Sequence, residues 1–173
     1  MSASVAQQLD GFARRLIPFG ITFVLVLLEA MPLPLPFPAA IAVAPSFVLI
    51  ALFFWTVYRP ELVPAIIVFA AGLLLDVVSG APLGINTLVL LLVCGGVRSQ
   101  RRFLVDKPMA VVWLGFLIAA IYAGVLYWVV YAIIHGTLPY ADRLIAQLAV
   151  TVLIYPLFAW LLGRSQRAVI RGV

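Results

Sequence analysis

Charge is the scarcest commodity in this chain: of 173 residues, 10% are Asp, Glu, Lys or Arg, against 66% hydrophobic. Soluble domains run near a quarter charged and half apolar. A soluble fold is therefore excluded, and an integral membrane protein is expected. A single cysteine, Cys94, excludes an intrachain disulfide. A single histidine, His135, leaves no second imidazole for a metal site. No phosphate loop, metal-ligand cluster or nucleophile motif occurs, so neither catalysis nor a cofactor is expected. Polar side chains in the apolar runs are too few to line a charged relay across a bilayer.

What the chain does have is apolar runs. At roughly 20 residues per spanning helix the length allows about six, with no soluble domain between them. The expected fold is one all-α transmembrane domain over residues 1–173, with helices at residues 16–31, 39–58, 62–78, 85–97, 108–134 and 143–162. The first run has Arg14 and Arg15 before it and Ala42, Val43 and Ala44 after it, like a signal peptide, but Pro45 after the nominal cut argues for a retained helix. Between the first two helices Pro32, Pro34, Pro36 and Pro38 alternate with apolar residues. Such a stretch is extended rather than helical, and it either lies at the outer surface or re-enters the membrane shielded by protein. Pro45 is a second possible start for the second helix, which would then be too short to cross the hydrocarbon. Residues 98–107 read as a basic loop.

The net charge of +5 is not a nucleic-acid signal, because its carriers sit at the ends of apolar runs. With the N-terminus inside, ten of the eleven basic residues face the cytoplasm and Arg143 alone faces out. That bias predicts a multi-pass membrane protein with both termini cytoplasmic. Arg98, Arg101, Arg102 and Lys107 are read first as topology anchors; the alternative is a contact with anionic lipid or an acidic cytoplasmic partner.

Two acids stand inside apolar runs. Asp76 belongs to Gly72-Leu73-Leu74-Leu75-Asp76-Val77-Val78-Ser79-Gly80-Ala81-Pro82-Leu83-Gly84-Ile85-Asn86. A carboxylate there is costly and implies a specific partner. Gly72, Asp76 and Gly80 share one helix face, which invites close approach of another backbone. Asp76 also lies in the last turn of its helix, where the dipole disfavours an anion, so a donor must compensate. Asn86, Thr87 and the free amides opening the next helix are the candidates. The first reading is a tie between the third and fourth helices. A contact with a partner's membrane helix and an ion or small-ligand site are the alternatives. Glu29, at the same depth, reads as interfacial or structurally paired, with a joint site with Asp76 as the alternative.

The stretch from Gly72 to Asn86 resembles the signature of the bacterial rod shape-determining protein MreD family. Phe53-Phe54-Trp55-Thr56-Val57-Tyr58-Arg59-Pro60 resembles the aromatic-rich helix and Arg-Pro turn of the same family, and the prolines after the first helix, the size and the six-helix layout also fit. The resemblance covers about residues 16 to 163. It implies a non-catalytic membrane component of the cell-wall elongation machinery. The implied partners are an MreC-like periplasmic scaffold, the MreB filament, a RodA-type glycan polymerase and a class B penicillin-binding protein. It also implies a fold similar to the S-components of energy-coupling-factor transporters. That likeness supplies an alternative, a substrate-binding membrane subunit of a small-molecule transporter. The interaction reading predicts faces of small residues and no ligand; the transporter reading predicts an outward-facing pocket with several polar contacts.

Overall fold

A computed structural model describes residues 44–136 and 141–170, together with Gly20, Val24, Leu25, Leu28 and Glu29 of the first apolar run, which are helical. The proline segment 32–38 lies outside the described residues. Every regular element described is helical: α1 (Phe47–Tyr58), a 3-10 turn (Pro60–Leu62), α2 (Ala65–Ser79), α3 (Ile85–Leu104), α4 (Met109–His135) and α5 (Ala141–Ile170).

The core is built on α1, whose residues are buried from Phe47 through Val57. A helix apolar on every face has no solvent side to offer, and it ends up enclosed. Helices α3 and α5 pack on it, α2 packs on α3, and α4 bridges α3 and α5. Phe53 meets Phe116 and Tyr155 edge-on at 5.1 and 5.7 Å, while Phe116 and Tyr155 stack at 4.1 Å. This cluster joins α1, α4 and α5. At 12 residues, α1 rises ~18 Å, short of the ~30 Å hydrocarbon core.

The second helix begins at Phe47 rather than residue 39 over its described part, because Pro45 holds Ala44 out of the helical region and Ala44–Ser46 are irregular. Residues 98–104, expected as loop, continue α3 to Leu104. No Gly or Pro interrupts them, Arg and Gln are good helix formers, and Arg101 and Arg102 in the last turn suit the helix dipole. The sixth predicted helix likewise runs past residue 162, to Ile170.

Two helices are long and apolar enough to cross a membrane by themselves, Met109–His135 and Ala141–Gly163. Their outward faces carry Ile118, Ile133, Leu153, Leu157 and Trp160 in the open. For a soluble protein such a surface would be an aggregation hazard; for a membrane protein it is the lipid face.

Pro156 lies inside α5. It has no N–H, so the carbonyl four residues earlier, on Val152, loses its helical donor. The indole of Trp113 on α4 supplies it, Nε1 donating to Val152 O at 3.0 Å. A gap in one helix thus becomes a bond to its neighbour.

Candidate functional site

At one end of the bundle α2 ends at Gly80, whose φ of +66° is left-handed, and the turn through Pro82 reaches Gly84 at φ +102°. These two glycines permit what an L side chain would resist. The chain reverses so that the first amides of α3 point back at Asp76, one turn before the end of α2. Asp76 is fully buried. Its Oδ2 accepts from Gly84 N at 2.9 Å, Thr87 N at 3.3 Å and Thr87 Oγ1 at 2.7 Å, and its Oδ1 accepts from Asn86 N at 2.9 Å. A helix N-terminus carries partial positive charge and unpaired amides. Placing it against the carboxylate offsets the unfavourable end of α2 and satisfies backbone donors that lipid could not.

Close approach makes this possible. A Cβ on Gly72 would lie 2.5 Å from Thr87 Cα, so α2 and α3 touch backbone to backbone one turn below Asp76.

The same device recurs at α1. Glu29 Oε1 accepts from Ser46 Oγ at 3.0 Å and Oε2 from Val48 N at 2.9 Å. Ser46 N donates to Thr151 Oγ1 at 3.0 Å, and that hydroxyl donates to Gln147 O at 2.6 Å, so α5 joins the same junction. Each embedded acid therefore holds the N-terminus of the helix that follows it. Glu29 and Asp76 share no ligand and no bond.

Above these junctions the helix ends part around a cavity of about 520 Å³. Glu29, Ser46, Ser79, Gly80, Pro82 and Asn86 line it, together with Tyr127, Tyr131, His135 and Gln147. Asp76 is not on its wall. Tyr131 stacks on Tyr127 at 6.1 Å and on His135 at 4.0 Å. Ser79 Oγ turns inward to Leu75 O at 2.6 Å.

Of the residues singled out in the sequence, Gly72, Asp76 and Gly84 meet at the α2–α3 junction, with Thr87 as the main side-chain donor. The Asn86 side chain is not that donor and faces the cavity, as do Gly80, Pro82 and Glu29. The aromatic wall was missed, although Tyr127, Tyr131 and His135 follow the i, i+4, i+8 spacing of one helix face.

At the opposite end Arg98 donates to Pro60 O at 2.6 Å, and Arg101 Nε donates to Val57 O at 2.9 Å. They tie α3 to the end of α1 and to the turn after it. Arg98, Arg101 and Arg102 also line a shallow groove of about 310 Å³ with Pro60, Glu61 and Ser99; Lys107 lies outside it and is exposed. Arg59 and Glu61 pair at 3.6 Å, both in the open, where such a pair contributes little. No group of three or more His, Cys, Asp or Glu that could hold a metal occurs among the described residues.

A family model described as rod shape-determining protein MreD matches residues 13–165. No curated protein and no solved structure matches the chain.

Proposed function

The chain belongs to the rod shape-determining MreD family, and on that premise we propose that it is a non-catalytic scaffold or regulatory subunit of the cell-wall elongation machinery, required for rod shape. The observation that carries this reading is the family match across nearly the whole length of the chain. The local geometry agrees with it. Asp76 commits both oxygens to four donors of its own chain, which is how an acid is used to set helices rather than to do chemistry.

In this proposal the protein sits in the bacterial inner membrane as six spans, with both termini cytoplasmic and a fold akin to the S-components of energy-coupling-factor transporters. It works beside an MreC-like scaffold, in a complex with the MreB filament, a RodA-type polymerase and a class B penicillin-binding protein. Gly72, Asp76, Gly80, Pro82, Gly84 and Asn86 shape the outer end that a periplasmic scaffold would meet. Arg98, Arg101, Arg102 and Lys107 serve the cytoplasmic side. Depletion is expected to turn rods into spheres while septal wall synthesis continues; unchanged rods would sink the proposal.

The outer cavity favours a second reading, a substrate-binding membrane subunit of a small-molecule transporter. Affinity purification of the tagged chain in mild detergent, followed by mass spectrometry, separates the two. Recovery of wall-synthesis proteins supports the scaffold, and recovery of an ATPase module supports the transporter subunit.

A further inference from the structure

The two embedded acids differ in what they have left to give. Asp76 faces four donors, is fully buried and stays off the cavity wall. Among the described residues Glu29 receives neutral donors, the Ser46 hydroxyl and the Val48 amide with the Phe47 amide beside them, and it lines the cavity. A carboxyl group's two oxygens offer about four acceptor sites, so Glu29 keeps acceptor capacity toward the cavity. The ion pair formed among the described residues is Arg59 with Glu61, at the turn after α1, and no Lys or Arg among those residues pairs with Glu29. An acid at membrane depth is ordinarily paired.

The rest of the wall has the same bias. It contains no Lys and no Arg among its described residues. It does contain the phenol oxygens of Tyr127 and Tyr131 and the amides of Asn86 and Gln147, all able to accept, and the stacked rings of Tyr127, Tyr131 and His135. Leu49, Leu75, Val89, Leu90, Leu144 and Leu148 supply the apolar remainder. An anionic guest would find no Lys or Arg among these residues. An ammonium group, with donors and no acceptor, would find a carboxylate, several acceptors and aromatic surface, the combination that draws organic cations. The volume is that of a small-molecule site.

We propose that the outer cavity binds an organic ammonium group, with Glu29 as its counter-ion and Tyr127 and Tyr131 as its aromatic wall. Two sources share that chemistry: a free amine from the outer side, and the ethanolamine headgroup of a membrane lipid. The proposal is independent of the scaffold reading, since it concerns what fills the cavity and not which proteins assemble around the chain.

The test uses the full-length chain. Binding of 2-phenylethylamine is measured by titration calorimetry in phosphatidylglycerol nanodiscs. Retention of phosphatidylethanolamine against phosphatidylglycerol is measured by native mass spectrometry from an equimolar mixture. Phenylethylamine binding identifies a free amine as the guest, and selective retention of phosphatidylethanolamine without it identifies the lipid headgroup; either supports the proposal. In the responding assay Glu29→Gln, which keeps an acceptor for Ser46 or Val48 but loses the charge, is expected to weaken binding about 10-fold or more, with a lowered melting temperature because its NH2 meets one of the two donors. Tyr127→Leu, on a different helix, is expected to weaken it too and carries the test if Glu29→Gln does not fold. No amine binding together with equal retention of the two lipids overturns the proposal, and so does undiminished binding by the folded variants.

Discussion

Gly72 and Thr87 are in backbone contact: a Cβ built on the glycine falls 2.5 Å from Thr87 Cα and 3.1 Å from its hydroxyl oxygen. The obstacle is main chain, which cannot swing aside as a side-chain tip can. Gly72→Ala must therefore push α2 away from α3, and Gly72→Leu must do so further. The displaced helix would pull Asp76 off the amides it serves. Both variants are expected to lose membrane abundance and thermal stability in detergent, Leu more than Ala. Gly95→Ala, on open helix surface with nothing within 4 Å of the new carbon, is the control. It is expected to be neutral or stabilising by up to ~1 kcal/mol, because alanine is the better helix former.

Asp76 itself separates two ideas of what a tie is. If one hydrogen bond joined the helices, Asp76→Asn would be nearly silent. Here both oxygens accept, Oδ1 from Asn86 N and Oδ2 from three donors around Gly84 and Thr87. An amide must turn its NH2 toward one of those donor sets, so Asn is expected to be intermediate. Asp76→Leu strands every donor and is expected to be severe, at ~1–3 kcal/mol for each buried group left unpaired. Thr87→Val, which removes one donor and keeps the shape, is expected to be the mildest. Thermal unfolding of the four proteins in one detergent checks the order, and an Asn variant as stable as the wild type would contradict it.

How much of this was legible follows from what each residue announces. Asp76 announces itself, because a carboxylate in an apolar run has few reasons to be there, and the glycines and proline after it mark the reversal that brings α3 back. The donors could be narrowed to a few groups at the start of α3, yet which ones point inward depends on Gly80 and Gly84 at positive φ. The basic stretch after residue 97 was misjudged because charge was taken as the end of the helix. Helix propensity does not stop where the apolar run stops, and Arg98 and Arg101 reach back to carbonyls near α1. The cavity was hidden for another reason: its walls come from helices distant in sequence, and pattern along one helix cannot say which faces will be left apart.

Topology is checked on the full chain by chemistry at one position. Ten basic residues on one side against Arg143 on the other predict that both termini are cytoplasmic and that the connection before α5 is external. Thr137→Cys in a Cys94→Ala background is expected to react with a membrane-impermeant thiol reagent on intact spheroplasts. Terminal reporter fusions are expected to read cytoplasmic. Protection of position 137 together with an external C-terminus would require a different number of spans.

Trp113 and Pro156 are expected to be coupled without touching the outer site. The proline removes a donor from α5, and the indole restores one to Val152 O. Trp113→Phe keeps an aromatic ring but strands that carbonyl, and is expected to destabilise the protein by ~1–2 kcal/mol, the range for an unpaired group within a membrane protein. Pro156→Ala returns an N–H to α5, which can then bond Val152 O within the helix. In that background the carbonyl has a partner whether or not the indole is present. Trp113→Phe should then cost less than it does beside the proline. A double-mutant cycle on melting temperatures in detergent measures the difference. Additive effects would mean that the indole matters only for its volume between α4 and α5, and that the gap left by Pro156 is met in some other way.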